Sequence, residues 1–304
     1  MSILDLPSNP QPDRPIPAPV PPGPAGTAAL HIPALVWIAW VATFAVFWSV
    51  LPPWVRDWID DPNYSHGFLV PVITLYLGRK AVLEPQSRRS EIPAGWRLWI
   101  GPAMCVVGLL GYLLGTAGSE LFTMRVGFVL TLLGSTWWLG GAHLGAALTA
   151  PILFLFFSIP LPAVLYTSIA LTLQRIVAIL GVHTLTLIGI PAVREGNILQ
   201  LPGAALEVAE ACSGIRSLTV LLAIGTIWAY QSRRKPVRAI ILFAATVPLV
   251  IIGNTLRILL TAVGTQVFGP SIAGGAAHEG LGIVVFLAMI LGLLGLSWLL
   301  SRNE

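Results

Sequence analysis

Residues 167–190 read TSIALTLQRIVAILGVHTLTLIGI. The stretch is long and apolar enough to cross a bilayer, which takes about 20 residues. It nevertheless carries Gln174, Arg175 and His183. Whether it crosses fixes the side on which everything after it lies. Two basic loops supply the constraint. GRKAVLEPQSRRSEIPAGWR (78–97) holds Arg79, Lys80, Arg88, Arg89 and Arg97, and QSRRKPVR (231–238) holds Arg233, Arg234, Lys235 and Arg238. Short loops rich in Lys and Arg stay cytoplasmic. Between them, apolar runs at about 98–115, 123–141 and 146–165 make three crossings and leave the chain outside. The run at 216–230 must then bring it back to the second basic loop. Parity closes only if 167–190 does not cross, so it reads as an interfacial or re-entrant amphipathic helix on the outer side.

Working outward, the remaining apolar runs are 33–51, 67–83, 239–263 and 280–300. The expected fold is an all-α integral membrane protein of about eight transmembrane helices with both termini cytoplasmic. Composition agrees: 56% of the 304 residues are hydrophobic and 10% charged, against about 25% charged in soluble domains. The net charge of +4 sits in clustered loops, which report orientation rather than nucleic-acid binding. Membrane lipids are the expected partner of those loops, with no nucleic acid. Eleven Trp suit the membrane interface, and 30 Gly permit close helix approach. Residues 1–29 differ in kind. PSNPQPDRPIPAPVPPGPAG (7–26) predicts a disordered, partly polyproline tail on the cytoplasmic side, preceding a membrane domain over 30–301. No apolar run follows a basic start closely enough for a cleavable signal peptide.

The most polar part of the second half is REGNILQLPGAALEVAEACSG (194–214). Alternation at Ile198, Leu199, Leu201, Leu206 and Val208, with Pro202-Gly203 between, predicts a short extracytoplasmic β-hairpin. It leads to Cys212. A lone thiol there is inert packing, half of a disulfide, or a nucleophile. Cys105, the only other cysteine, lies mid-span and cannot reach the outer face. Cys212 also precedes a helix, where the positive end of the dipole favours thiolate. Ser213 is placed to cap that helix, Gly214 to admit another backbone, and Arg216 to lower the thiol pKa further. Glu207 and Glu210 flank the cysteine and read first as solvated carboxylates.

Two more features fall on the same face. GNTLRILL (253–260) puts Asn254 and Arg257 one helical turn apart within a span, where a charge is costly. Arg257 suits an oxyanion or carboxylate, with Asn254 orienting it; the plainer reading is a snorkelling Arg. GGAAHEGLG (274–282) puts His278 at the start of the last span, as a general acid–base or as a ring meeting water and headgroups. His66, in NYSHGF (63–68), also opens an outer-side span and competes for that role. His183 is a further rival, and His143 falls on the cytoplasmic side. No residue set calls for a metal or cofactor.

These residues carry a family resemblance. PAVREGNILQLPGAALEVAEACSGIRSL (191–218), then GNTLRI (253–258), then His278 at the head of the last span, resembles the exosortases. The resemblance extends back through DPNYSHGFLVPVITLYLGRK (61–80) and PILFLFFSIPLP (151–162), covering about 55–300. It implies a multi-pass enzyme of the bacterial inner membrane, paired with exopolysaccharide systems. It also implies a cysteine protease and transpeptidase acting on proteins with a C-terminal sorting signal of the PEP-CTERM type: a Pro-Glu-Pro motif, a transmembrane helix and a basic cluster. The family's Cys, Arg and His fall on Cys212, Arg257 and His278. The competing class is a transporter or export-channel component without thiol chemistry. Against it, the ionisable residues gather at one face, and the second half does not repeat the first.

Overall fold

The computed structural model describes residues 30–84, 94–202, 204–207, 214–231, 236–269, 272 and 274–302. Nine helices and one small sheet occur among them. Helix α1 (Ala34–Val46) bends by 55° through a 3-10 turn into α2 (Leu51–Asp60). The first apolar run ends at 51, but the chain stays helical to Asp60. Pro52 and Pro53 lie in the first turn of α2, where a missing N–H costs nothing. A 3-10 turn over Ser65–Phe68 leads into α3 (Leu69–Leu83).

Helices α4 (Ala94–Ala117) and α5 (Leu121–Leu153) pack most closely. Gly101, Gly108 and Gly115 recur every seven residues on α4, facing Gly127 and Gly134 on α5. A Cβ at Gly108 would meet the Gly127 carbonyl at 2.6 Å, and one at Gly134 would meet the Cys105 amide at 2.7 Å. The two backbones touch because no side chain separates them. Glu120 caps α5, accepting from the amides of Phe122 at 2.9 Å and Thr123 at 2.6 Å.

At Gly141 (φ 75, ψ 175) the chain within α5 folds back on itself. Trp137 Nε1 donates to Thr149 Oγ1 at 2.9 Å, although twelve residues span about 18 Å on a straight helix. The returning segment runs through a 3-10 turn, Phe154–Ser158, and stops. Ile159 is extended (φ -86, ψ 117) because it precedes Pro160. The expected span at 146–165 is therefore broken at its middle, and α6 (Ala163–Leu187) begins after Pro162.

A three-stranded antiparallel sheet follows: β1 (Val193–Glu195), β2 (Ile198–Leu201) and β3 (Ala204–Glu207). A hairpin was expected; β1 adds a third strand. Its three residues are all exposed, so it has no alternation to read. Leu199 pairs with Leu206 in the register, and both are buried with Leu201 against Val177, Leu185, Ile258 and Ala262. Helices α7 (Ile215–Gln231), α8 (Pro236–Phe268) and α9 (Gly275–Arg302) complete the second half.

By length and apolarity alone, five helical stretches suffice to cross a membrane: 99–117, 121–158 (interrupted at Gly141), 163–187, 237–268 and 275–302. The bent α1–α2 pair makes a possible sixth. By this measure α3, at 15 residues, and α7, at 17, fall short, so the eight-span count is not reproduced. Helix α6 itself passes, with 25 residues, so length and apolarity alone do not keep it out of the bilayer. Its polar positions divide: Gln174 is buried, while Arg175 and His183 are exposed.

One hydrophobic cluster joins α1 to α5, and others join α6 to α9. The halves meet where Val70 and Phe154 pack on Ala223 of α7, and where the rings of Tyr64 and Tyr166 lie 6.3 Å apart.

Candidate active site

Helix α8 is the spine of the site. Asn254 on α8 is 3% exposed and faces the start of α7. Gly214 there has φ +80, and a Cβ added to it would land on the Asn254 carboxamide. Glycine is required twice over: the left-handed backbone excludes most side chains, and the space belongs to Asn254. The Gly214 carbonyl accepts from the Leu218 amide at 2.7 Å, the first bond of α7. Gly214 is therefore the cap residue of this helix, one position later than the expected Ser213.

One turn along α8, Arg257 reaches the other way, to α9. Its Nη2 donates to the His278 carbonyl at 3.4 Å. Gly282, one turn beyond His278, makes room: a Cβ there would lie 2.9 Å from the guanidinium carbon. The structure thus brings Arg257 and His278 together, and Asn254 and Gly214 together, along one stretch of α8. Asn254 lies against Gly214 of α7, while Arg257 bonds the His278 carbonyl of α9. Cys212, Ser213 and Glu210 lie outside the described residues, as does the side chain of Glu207.

Arg216, in the first turn of α7, is exposed, and its Nε donates to Asn63 Oδ1 at 3.3 Å. His66 is half-buried, with Nε2 3.0 Å from the Phe157 carbonyl. Burial pushes the imidazole below its ordinary value. The carbonyls of Phe157 and Asn63 oppose this, and the nearby Arg216 cation reinforces it. A neutral ring with one nitrogen engaged by a carbonyl is an anchor rather than a free base. His183 is exposed on α6 and His143 is exposed near the Gly141 turn, so neither joins Arg257. Cys105 is partly buried in α4, with Sγ 3.8 Å from the Thr131 carbonyl. Among the described residues no three His, Cys, Asp or Glu side chains gather as a metal site.

Residues that drew no notice in the sequence support this face. Trp54 and Trp58 Nε1 both donate to the Ser158 carbonyl, at 2.7 and 2.8 Å, and the Leu161 amide donates to the Tyr64 hydroxyl at 3.0 Å. Arg125, 2% exposed, pairs with Asp57 at 2.6 Å. A charged residue inside an apolar run was the available signal for Arg125; the aromatic donors gave none.

Long apolar helices, with Arg257 on the His278 carbonyl beside a glycine-dependent helix start, define a class: a polytopic membrane protein with a candidate site in its last three helices. The transmembrane exosortase family profile matches residues 58–295. The chain belongs to that family, whose members serve exosortase-type protein sorting in the membrane. No curated protein and no solved structure matches.

Proposed function

We propose that the chain is a cysteine endopeptidase and transpeptidase that processes C-terminal sorting signals at the outer face of the bacterial inner membrane, in association with exopolysaccharide export. The observation that carries this reading is the hydrogen bond from Arg257 to the main-chain carbonyl of His278, one turn of α8 from the contact of Asn254 with Gly214, which follows Cys212 by two residues.

In this reading His278 takes the Cys212 thiol proton, and the thiolate attacks the scissile carbonyl carbon. The C–S bond forms, and the carbonyl electron pair moves to oxygen, where Arg257 offsets the charge. On collapse the C–N bond breaks, and His278 gives its proton to the departing amine. Water or an amine acceptor, its proton passing to His278, then displaces Cys212 from the thioester as thiolate, and the thiolate recovers that proton. The start of α7 and Arg216 favour the thiolate. Asn254 packs on Gly214, two positions after Cys212 in the sequence. Glu210 and Ser213 border the nucleophile, and His66 supports the site from the first half. Substrates bring a Pro-Glu-Pro-type motif, an apolar helix and a basic cluster.

The outer placement draws support from α6. Arg175 sits halfway along it and is exposed. A cation facing lipid at the bilayer centre costs about 2.5–3.5 kcal/mol on insertion scales. The start of α6 lies by Tyr64 and its later part by the sheet. A helix lying along the outer surface meets both without placing Arg175 in lipid, and it keeps both termini cytoplasmic.

Co-expression with a signal-bearing reporter tests the assignment. Wild type releases the signal, and Cys212→Ala does not while reaching normal abundance. Normal processing by that variant contradicts the nucleophile.

A further inference from the structure

The break between α5 and α6 frees backbone groups that no helix satisfies. Phe157, Ser158 and Leu161 lie there, between apolar helices. Each is met by a side chain from 54–66. The Ser158 carbonyl accepts from the indoles of Trp54 and Trp58, the Phe157 carbonyl lies 3.0 Å from His66 Nε2, and Tyr64 Oη accepts from the Leu161 amide. Gly67 fits beneath the Trp58 ring, where a Cβ would strike it. Three of the four donors and acceptors belong to buried aromatic rings: Trp54 is 4%, Trp58 9% and Tyr64 6% exposed.

Next to this clamp in the chain, one polar side chain reaches the other half. Asn63 lies between Tyr64 and an Asx turn in which its amide donates to Asp61 Oδ1 at 2.8 Å. Its carboxamide oxygen accepts from Arg216 Nε at 3.3 Å, across 153 positions of sequence. Arg216 is the second residue of α7, four after Cys212.

We infer that Asn63, fixed by its turn on Asp61 beside the Trp54–Trp58–Tyr64–His66 clamp, is a positioning residue that sets the start of α7, the helix that follows Cys212 in the chain, through Arg216. This rests on the proposed role of Cys212. It also separates two roles of Arg216. As a bare positive charge near the thiol, Arg216 is replaceable by Lys. As the partner of Asn63 it is not, because Lys has no Nε–H in that plane.

The test uses the full-length protein carrying Cys105→Ser, in lipid vesicles, with a membrane-anchored reporter ending in Pro-Glu-Pro, an apolar helix and a basic cluster. Asn63→Ala and Arg216→Lys each lower kcat by about tenfold or more with KM little changed, as expected when a reacting group is misplaced. The double variant is no worse than either alone, and Asn63→Asp, which keeps the acceptor, retains activity. Wild-type kcat in Asn63→Ala overturns the inference. So do multiplying effects in the double variant, or an inserted Asn63→Asp as inactive as Asn63→Ala. The rate at which a membrane-impermeant maleimide labels Cys212 is read in parallel. If Cys212→Ala still processes the reporter, the nucleophile assignment fails; a labelling rate changed by Asn63→Ala then still upholds the positioning arm, and an unchanged rate overturns it.

Discussion

Gly214 and Gly282 are the smallest residues with the largest expected effects. Gly214→Ala forces a side chain into a left-handed backbone, at about 1–2 kcal/mol, and into the space of Asn254. Processing is expected to fall at least as far as in Asn254→Ala, measured by reporter release at matched abundance. Gly282→Ala adds a methyl 2.9 Å from the flexible Arg257 guanidinium. There kcat is expected to drop by about tenfold with the protein as stable as wild type, because Arg257 can move but loses its position. His66 gives a pH signature. Burial holds its imidazole below the ordinary 6.5. The unfolded chain therefore binds the proton first, and stability is complete above about 6.5 and falls on acidification toward the depressed value. Unfolding in detergent at pH 7.5 and 5.5 checks this: His66→Gln is expected to lose less stability than wild type between the two.

Among elements, the break at 157–162 shows what sequence carries and what it hides. FFSIPLP announces a break, since Pro160 and Pro162 end any helix. What satisfies the break is invisible, because Trp54 and Trp58 lie 104 and 100 positions from Ser158. Two donors on one carbonyl make a non-additive prediction. Trp54→Phe or Trp58→Phe alone leaves Ser158 partnered and costs little. The double variant orphans a buried carbonyl, at about 1–3 kcal/mol beyond the sum of the singles. Denaturant unfolding of the four proteins measures it. Cys212, Arg257 and His278 could be picked out because charge and thiol stand out in apolar surroundings. Asn63 could not, because an Asn beside a turn looks like any solvated loop residue. The continuation of α2 past Pro52-Pro53 is hidden for a related reason: Asp57, Asp60 and Asp61 look like a loop, while Trp54 and Trp58 form a buried face.

At the scale of the molecule, two packed halves meet near the broken helix and the start of α7, and the candidate site lies in the second half. The orientation of α6 is read by labelling. With Cys105 and Cys212 replaced, Arg175→Cys is expected to be labelled by an impermeant thiol reagent from outside intact spheroplasts. A cysteine at 234, in the second basic loop, is labelled only after lysis. Protection of position 175 on both sides would place α6 across the bilayer instead. The central claim concerns Cys212 itself, and trapping its acyl-enzyme tests it most directly. The purified protein is mixed with the signal-bearing reporter, quenched in acid, and its peptides are weighed. The account predicts a thioester of the reporter's upstream fragment on the peptide containing Cys212, slower to form in Arg257→Ala and absent in Cys212→Ala. Processing that continues with no adduct on Cys212, or with Cys212 replaced, would contradict it.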